Sequence, residues 1–109
     1  DENMLSALVL GAKGAVGSTF NYAAPLYYDL IAAFNANDLV TARALQQKSI
    51  NMIRLLGKYG GISVGKAYMK VVGLDLGAFR LPVKNMSADQ FELFKKDVEN
   101  LNFEDFKSK

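Results

Sequence analysis

The residues of this sequence whose types could do chemistry are two adjacent carboxylates, Asp1 and Glu2, and a serine that follows a series of glycines, Ser18. Carboxylates exchange protons or accept hydrogen bonds, and a serine hydroxyl becomes a nucleophile when a neighbouring base activates it. The chain has no histidine and no cysteine, so it offers no His-based triad, no thiolate nucleophile and no imidazole zinc site. Taken alone, the two carboxylates are typical of a solvated chain end, and Ser18 is typical of a hydrogen-bonding or capping residue.

Three glycines precede Ser18 at intervals of three residues, namely Gly11, Gly14 and Gly17. A glycine series between a strand and a helix is typical of a dinucleotide-binding turn, where backbone amides hold a pyrophosphate. That interpretation also requires a second strand and an acidic residue about 20 residues further on. The region that follows here has the pattern of a helix instead. The glycines fit tight packing of a short strand against its neighbours equally well.

Length and composition exclude several classes of protein. A chain of 109 residues with 50% apolar side chains is enough for one domain and too apolar for a disordered protein. The net charge of +2 provides no basic face for nucleic acid, and no apolar run reaches the roughly 20 residues that span a membrane. The acidic start lacks the basic stretch of a signal peptide, so we expect a cytoplasmic protein. Because the sequence does not begin with methionine, we expect a processed, trimmed or excised piece.

Most of the elements that must position these residues are predicted to be helices. Asp38 and Ser63 are expected to cap helices, and Ser87 is expected to form a capping box with Gln90. Gly60 and the glycine after it are expected to end the longest helix. The predicted order is a helix or buried strand within 3–12, a strand or tight loop at 14–18, helices over 21–35, 39–59, 64–72 and 88–101, and a turn at 102–106.

The segment 14–18 is a strand candidate without a visible partner strand in this sequence. A buried lone strand would leave its amide and carbonyl groups unpaired, which is costly. The pattern therefore predicts that the partner strands lie elsewhere, in the same polypeptide or in another one.

One run of small residues is specific enough to compare with known families. It reads Gly11-Ala-Lys-Gly14-Ala-Val-Gly17-Ser-Thr-Phe-Asn21, and Asp1-Glu2-x-Met4-Leu5-Ser6-Ala7-Leu8 precedes it. Together these residues closely resemble the N-acetylneuraminate lyase branch of the dihydrodipicolinate synthase superfamily. The later Ala42-Arg43-x-Leu45-Gln46 and Phe79-Arg80-Leu81-Pro82 are similar to the C-terminal helices of that family. The resemblance extends from residue 1 to about residue 101.

The resemblance implies an α/β fold, here the C-terminal piece of a (β/α)8 TIM barrel that is predominantly helical in this part. Residues 1–21 would form the end of the seventh strand, the helix after it and the eighth strand at 14–18. Residues 22–109 would form the last barrel helix and a C-terminal helical extension, with the whole chain a single domain. The family implies a homo-oligomer, a tetramer, that acts on the small molecules sialic acid and pyruvate, without metal, dissociable cofactor, nucleic acid or membrane.

The implied reaction is the reversible cleavage of N-acetylneuraminate to N-acetylmannosamine and pyruvate through a Schiff base on lysine. Position by position, Asp1 and Glu2 match the acidic pair that holds the glycerol tail of the sugar, and Ser18 matches a serine that contacts the same polyol. The family's catalytic lysine and proton-shuttling tyrosine lie on earlier strands. Lys13 and Lys66 do not match the catalytic lysine, so no catalytic residue is assigned and we expect this chain alone to be inactive.

Two other interpretations stay open at this point. One is a fragment of an NAD(P)-binding Rossmann-type oxidoreductase, and the other is a non-catalytic helical interaction module. Two or more strands around 7–18 would favour the oxidoreductase, one isolated strand would favour the barrel piece, and no strand would favour the module.

Overall fold

The computed structural model describes all 109 residues as an assembly of helices around one aromatic core. The longest helix, Leu39–Tyr59, contacts each of the other four α-helices. The helices are α1 (Met4–Val9), α2 (Phe20–Asn35), α3 (Leu39–Tyr59), α4 (Val64–Val72) and α5 (Ala88–Asn100), with short 3-10 turns at Gly61–Ser63 and Phe103–Asp105. No helix of the chain has the length and apolar character needed to cross a bilayer.

Tyr68 of α4 lies at the centre of the core. Its ring stacks on Tyr22 with 4.5 Å between ring centroids and meets the Phe94 ring edge-on at 4.8 Å. Phe103 closes the cluster from the last 3-10 turn at 5.2 Å. The Tyr68 hydroxyl donates to the carbonyl of Met52 at 2.8 Å, so this buried polar atom is satisfied. Four separate helical segments are therefore held by one aromatic cluster.

Local capping chemistry sets most helix ends where the sequence predicts them. Asp38 caps α3 by accepting from the Thr41 amide at 3.0 Å, and Gly60 ends that helix with φ 114°, a conformation that glycine adopts without steric cost. The capping box of Ser87 with Gln90 is confirmed. The prediction that Ser63 caps α4 is wrong. Ser63 has helical φ and ψ within a 3-10 turn that runs straight into α4, whereas a capping residue needs an extended backbone.

Helix α2 is broken near its start. Ala23 has φ −140° and ψ 34°, and Pro25 two residues later carries no amide hydrogen for the helical ladder. The break frees the Tyr22 carbonyl and the Ala24 amide. Both are satisfied by Ser108, whose amide donates to the Tyr22 carbonyl at 2.9 Å and whose Oγ accepts from the Ala24 amide at 3.1 Å. The last residues of the chain therefore hold the first turn of α2 in place.

The predicted strand at 14–18 is absent, and the chain contains no strand at all. Residues 12–17 have no regular secondary structure and make no cross-strand backbone hydrogen bonds. A strand exists through its hydrogen bonds to a neighbouring strand, and this chain supplies no neighbour. The alternative left open for 3–12 is settled as a helix, α1.

Three apolar side chains in and near this segment are exposed to solvent. Leu10 is 88% exposed, and Val9 and Val16 are also exposed. Val9 is the last residue of α1, Leu10 follows it, and Val16 lies within the segment 14–18 that the sequence predicted to be a strand. This is the part of the fold with the most apolar surface left uncovered within so short a stretch.

An ion pair joins α3 to α5 and gives stability a pH dependence. Asp97 accepts from Lys58 Nζ and from the Tyr59 hydroxyl, each at 2.6 Å, and these two hydrogen bonds hold the pKa of the Asp97 carboxyl below its usual range. A carboxyl whose pKa is lowered by folding stabilises the folded state above its unfolded pKa of about 3.9, and the stabilisation is lost as pH falls through the folded value.

We therefore expect Asp97→Asn to lower the melting temperature at neutral pH and to have progressively less effect as the pH falls below about 4. The measurement is the melting temperature of both proteins at a series of pH values. Asp29→Asn in the middle of α2, whose carboxyl is exposed and takes part in no ion pair, is the control. A difference between wild type and Asp97→Asn that stays constant down to the acid end would contradict the assignment.

Candidate functional site

The Asp1 carboxylate is anchored on the start of α2. Its Oδ2 accepts from the Thr19 amide at 3.1 Å and from the Thr19 hydroxyl at 2.5 Å. Its other oxygen makes no hydrogen bond within the chain and lies beside Gly17. A Cβ at position 17 would overlap this carboxylate, so the absence of a side chain there is what makes room for it. The structure thus brings residue 1 against residues 17–19, across the irregular segment.

Gln46 on α3 makes hydrogen bonds to the same part of the chain, at Asp1 and Leu5. Gln46 Oε1 accepts from the Leu5 amide at 2.8 Å, and its Nε2 donates to the Asp1 carbonyl at 3.3 Å. The start of a helix has amides without intrahelical partners, and this side chain satisfies one of them. Asp1 is therefore held at both its carboxylate and its backbone carbonyl.

The other two predicted site residues are exposed and free to meet a ligand. Glu2 follows Asp1 directly, and Ser18 directly precedes the threonine to which Asp1 is bonded. A hydrogen bond from the backbone at Glu2 lowers the pKa of the Glu2 carboxyl, which keeps it ionised. The structure thus places Asp1, Glu2 and Ser18 along one short edge. An edge with two carboxylates and a hydroxyl can accept several hydrogen bonds from a polyol.

A buried chain of hydroxyl groups extends from this edge into the protein. Thr19 Oγ1 is 2.6 Å from the Tyr27 hydroxyl, which is 2.8 Å from Ser49 Oγ on α3. Sequence reasoning missed Thr19, Tyr27 and Ser49 as site residues. Thr19 and Tyr27 are eight residues apart at the start of one predicted helix, and nothing in the sequence linked either of them to Ser49.

The two lysines considered above have no catalytic surroundings. Lys66 Nζ donates to the carbonyls of Leu76 and Ala78 and lies 4.6 Å from the centre of the Phe79 ring. It therefore fixes the loop after α4. Lys13 is exposed on the irregular segment and makes no hydrogen bond or ion pair within the chain. Neither lysine is buried in the apolar site that lowers the pKa of an amine nucleophile.

A cavity of about 350 Å³ is lined in part by Ser18. Its polar lining also includes Asn21, Lys66 and the buried Tyr22, whose hydroxyl has no hydrogen-bond partner. Burial raises the pKa of the Tyr22 hydroxyl, so it stays protonated and acts only as a neutral hydrogen-bonding group. Ser18 thus lines this cavity and directly precedes Thr19, which holds Asp1.

Comparison with known proteins gives consistent matches. The sequence matches the Dihydrodipicolinate synthetase family over residues 1–101. The N-acetylneuraminate lyase of Rattus norvegicus is 40% identical over 110 residues, covering 97% of this chain and 34% of that protein. The structure of Proteus mirabilis N-acetylneuraminate lyase superposes with a TM-score of 0.89 at 42% identity, covering 94% of this chain and 35% of that one. Dihydrodipicolinate synthase from Bacillus anthracis superposes with a TM-score of 0.79 at 26% identity, covering 91% of this chain and 34% of that one.

The chain thus spans about a third of the length of the relatives it matches. These matches favour the lyase interpretation over both alternatives. The oxidoreductase interpretation required two or more strands around 7–18, and the structure has none. The absence of strands had been expected to indicate a helical module, and that criterion was wrong. A strand is identified by its backbone hydrogen bonds to neighbouring strands. A segment whose partner strands lie outside the chain therefore does not count as a strand in this chain.

Proposed function

This chain belongs to the dihydrodipicolinate synthetase family, and from that premise we propose that it is the C-terminal third of an N-acetylneuraminate lyase. The full-length enzyme, meaning this chain together with the residues that precede it in its polypeptide, would reversibly cleave N-acetylneuraminate to N-acetylmannosamine and pyruvate. The observation that carries the choice of substrate is the level of identity. It is 35% to 42% against N-acetylneuraminate lyases and 26% to 31% against dihydrodipicolinate synthases.

The exposed surface around the irregular segment supports a position inside a larger fold. Contiguous apolar surface rarely stays open to solvent in a finished protein, and Val9, Leu10 and Val16 are exposed here. We propose that residues 14–18 become the eighth strand of a (β/α)8 barrel once the first and seventh strands lie beside them. The residues after this strand would then form the last barrel helix and the C-terminal extension.

The proposed role of Asp1, Glu2 and Ser18 is to hold the polyol tail of the sugar. Carboxylates are strong hydrogen-bond acceptors, and vicinal hydroxyls present several donors to them. In a barrel enzyme the carboxyl ends of the strands face the active site, which is where the proposed strand places Ser18. The Asp1 oxygen that has no hydrogen-bond partner and the exposed Glu2 carboxylate are the acceptors proposed for this purpose.

Carbon–carbon cleavage through a Schiff base needs an amine nucleophile, a proton shuttle and a site for the pyruvate carboxylate. We propose that all three lie in the preceding two thirds of the enzyme, because neither Lys13 nor Lys66 is placed for this chemistry. A tetramer in the cytoplasm is part of the same proposal, and the tetramer rests on the family resemblance alone.

The test compares this chain with the full-length enzyme. We expect the full-length enzyme to release pyruvate from N-acetylneuraminate and to be trapped covalently by borohydride in the presence of pyruvate. We expect the 109-residue chain alone to do neither, because neither Lys13 nor Lys66 lies in a buried apolar site. A borohydride-trapped adduct on the isolated chain would refute the assignment of the nucleophile. A full-length enzyme that condenses pyruvate with a different aldehyde, and leaves N-acetylneuraminate intact, would refute the proposed substrate.

A further inference from the structure

We propose that Thr19, Tyr27 and Ser49 are positioning residues that aim the Asp1 carboxylate at the polyol tail of the substrate. The proposal rests on the function proposed above and assigns a task to three side chains that the family resemblance does not. It concerns how the binding edge is oriented, and it leaves the carbon–carbon cleavage to other residues.

The hydrogen bonds between these side chains can run in only one direction. An ionised Asp1 carboxylate accepts and cannot donate, so the Thr19 hydroxyl must give its single proton to Oδ2. Thr19 Oγ1 must then accept from the Tyr27 hydroxyl at 2.6 Å. With its proton so used, the Tyr27 oxygen must accept from Ser49 Oγ at 2.8 Å. Every hydroxyl proton in the chain therefore points toward the carboxylate.

Burial makes this arrangement rigid. Thr19, Tyr27 and Ser49 are all buried, with Ser49 completely inaccessible to solvent. Hydrogen bonds in such surroundings strengthen one another, and a buried hydroxyl that loses its partner is penalised. The Tyr27 ring is further fixed by an edge-on contact with Phe20, whose ring centroid lies 4.4 Å away. The orientation of Thr19 is thus set by two helices, α2 and α3.

The result is a carboxylate with one bonded and one unbonded oxygen. Oδ2 already accepts two hydrogen bonds from Thr19, while the other oxygen accepts none within the chain. That second oxygen lies against Gly17, in the space that a side chain at position 17 would fill, and the Asp1 side chain is 13% exposed. The buried chain of hydroxyls fixes the direction in which Asp1 presents its unbonded oxygen to a substrate hydroxyl.

The test measures steady-state kinetics of the full-length enzyme in both directions. Thr19→Val removes the hydroxyl and keeps the side-chain shape, whereas Thr19→Ser keeps the hydroxyl. We expect Thr19→Val to raise KM for N-acetylneuraminate roughly tenfold, as loss of a hydrogen bond to a charged group does, with Thr19→Ser close to wild type. Tyr27→Phe is expected to act in the same direction, and Tyr28→Phe, at an exposed phenol on the same helix, is the matched control.

The KM for pyruvate in the condensation direction separates positioning from general damage. Pyruvate carries no polyol, so its KM should not change in Thr19→Val or Tyr27→Phe. An equal rise in both KM values, or no rise in either, would overturn the proposal while leaving the lyase function intact.

A second readout keeps the inference testable if the wild-type enzyme does not cleave the sugar. Hydrogen exchange of the Thr19 amide, which donates to Asp1, reports the anchoring directly. Faster exchange at Thr19 in Tyr27→Phe, with unchanged exchange in Tyr28→Phe, would support the positioning role. Equal exchange rates in the two variants would refute it.

Discussion

Replacing Gly17 with alanine is expected to lower kcat/KM of the full-length enzyme for N-acetylneuraminate about a hundredfold, equivalent to about 3 kcal/mol. The added Cβ would occupy the space that the Asp1 carboxylate fills. The carboxylate would have to swing away and would lose both hydrogen bonds to Thr19. Its open oxygen would no longer point along the edge shared with Ser18. Pyruvate release at several sugar concentrations gives the value.

Gly57→Ala is the control for this prediction. Gly57 lies in α3, outside the segment proposed to become a strand, and a Cβ built there meets no atom within 4 Å. Its backbone also avoids the left-handed region that an alanine would resist. We expect Gly57→Ala to retain near wild-type kinetics. Comparable losses in the two variants would mean that the contact with Asp1 does not explain the effect at Gly17.

Replacing Phe94 with alanine is expected to destabilise the fold by about 3–5 kcal/mol. Phe94 is fully buried, and its ring contacts Tyr59 at 5.5 Å and Tyr68 at 4.8 Å between centroids. Its removal would leave a cavity at the junction of α3, α4 and α5. Since whole domains are stable by only about 5–15 kcal/mol, the loss is a large fraction of the total. Urea denaturation followed by far-UV circular dichroism measures it.

The neighbouring Leu93 offers a control on the same helix. It is 56% exposed, so truncation to alanine removes little buried surface. We expect Leu93→Ala to change the free energy of unfolding by less than about 1 kcal/mol. Similar midpoints for Phe94→Ala and Leu93→Ala would show that the aromatic cluster does not hold these helices together.

Much of the fold could be predicted from the sequence because it is decided by local chemistry. The cap at Asp38, the capping box at Ser87 and the left-handed glycine at Gly60 each satisfy helix ends with residues a few positions away. Ser63 has the right residue type but sits in a turn that continues into the next helix. Serine favours helix caps, but the helical backbone conformation of Ser63 prevents it from capping α4.

The arrangement of the candidate site could be predicted only in part, since its contacts join distant positions. Asp1 and Ser18 were singled out by resemblance, while the bond from Asp1 to Thr19 spans 18 residues and that from Tyr27 to Ser49 spans 22. No local pattern reports such pairings. The strand expected at 14–18 was missing for the same reason, because a strand depends on partners that this sequence does not supply.

The two hydrogen bonds from Ser108 to the break in α2 have a consequence for how the protein is made. Ser108 contacts a backbone atom 84 residues earlier, so during translation the two bonds form only after almost all of this sequence has left the ribosome. Until then, the Tyr22 carbonyl and the Ala24 amide lack these partners. Cotranslational folding should therefore complete the first turn of α2 late, and nascent chains stalled before residue 108 should present the two backbone groups without them.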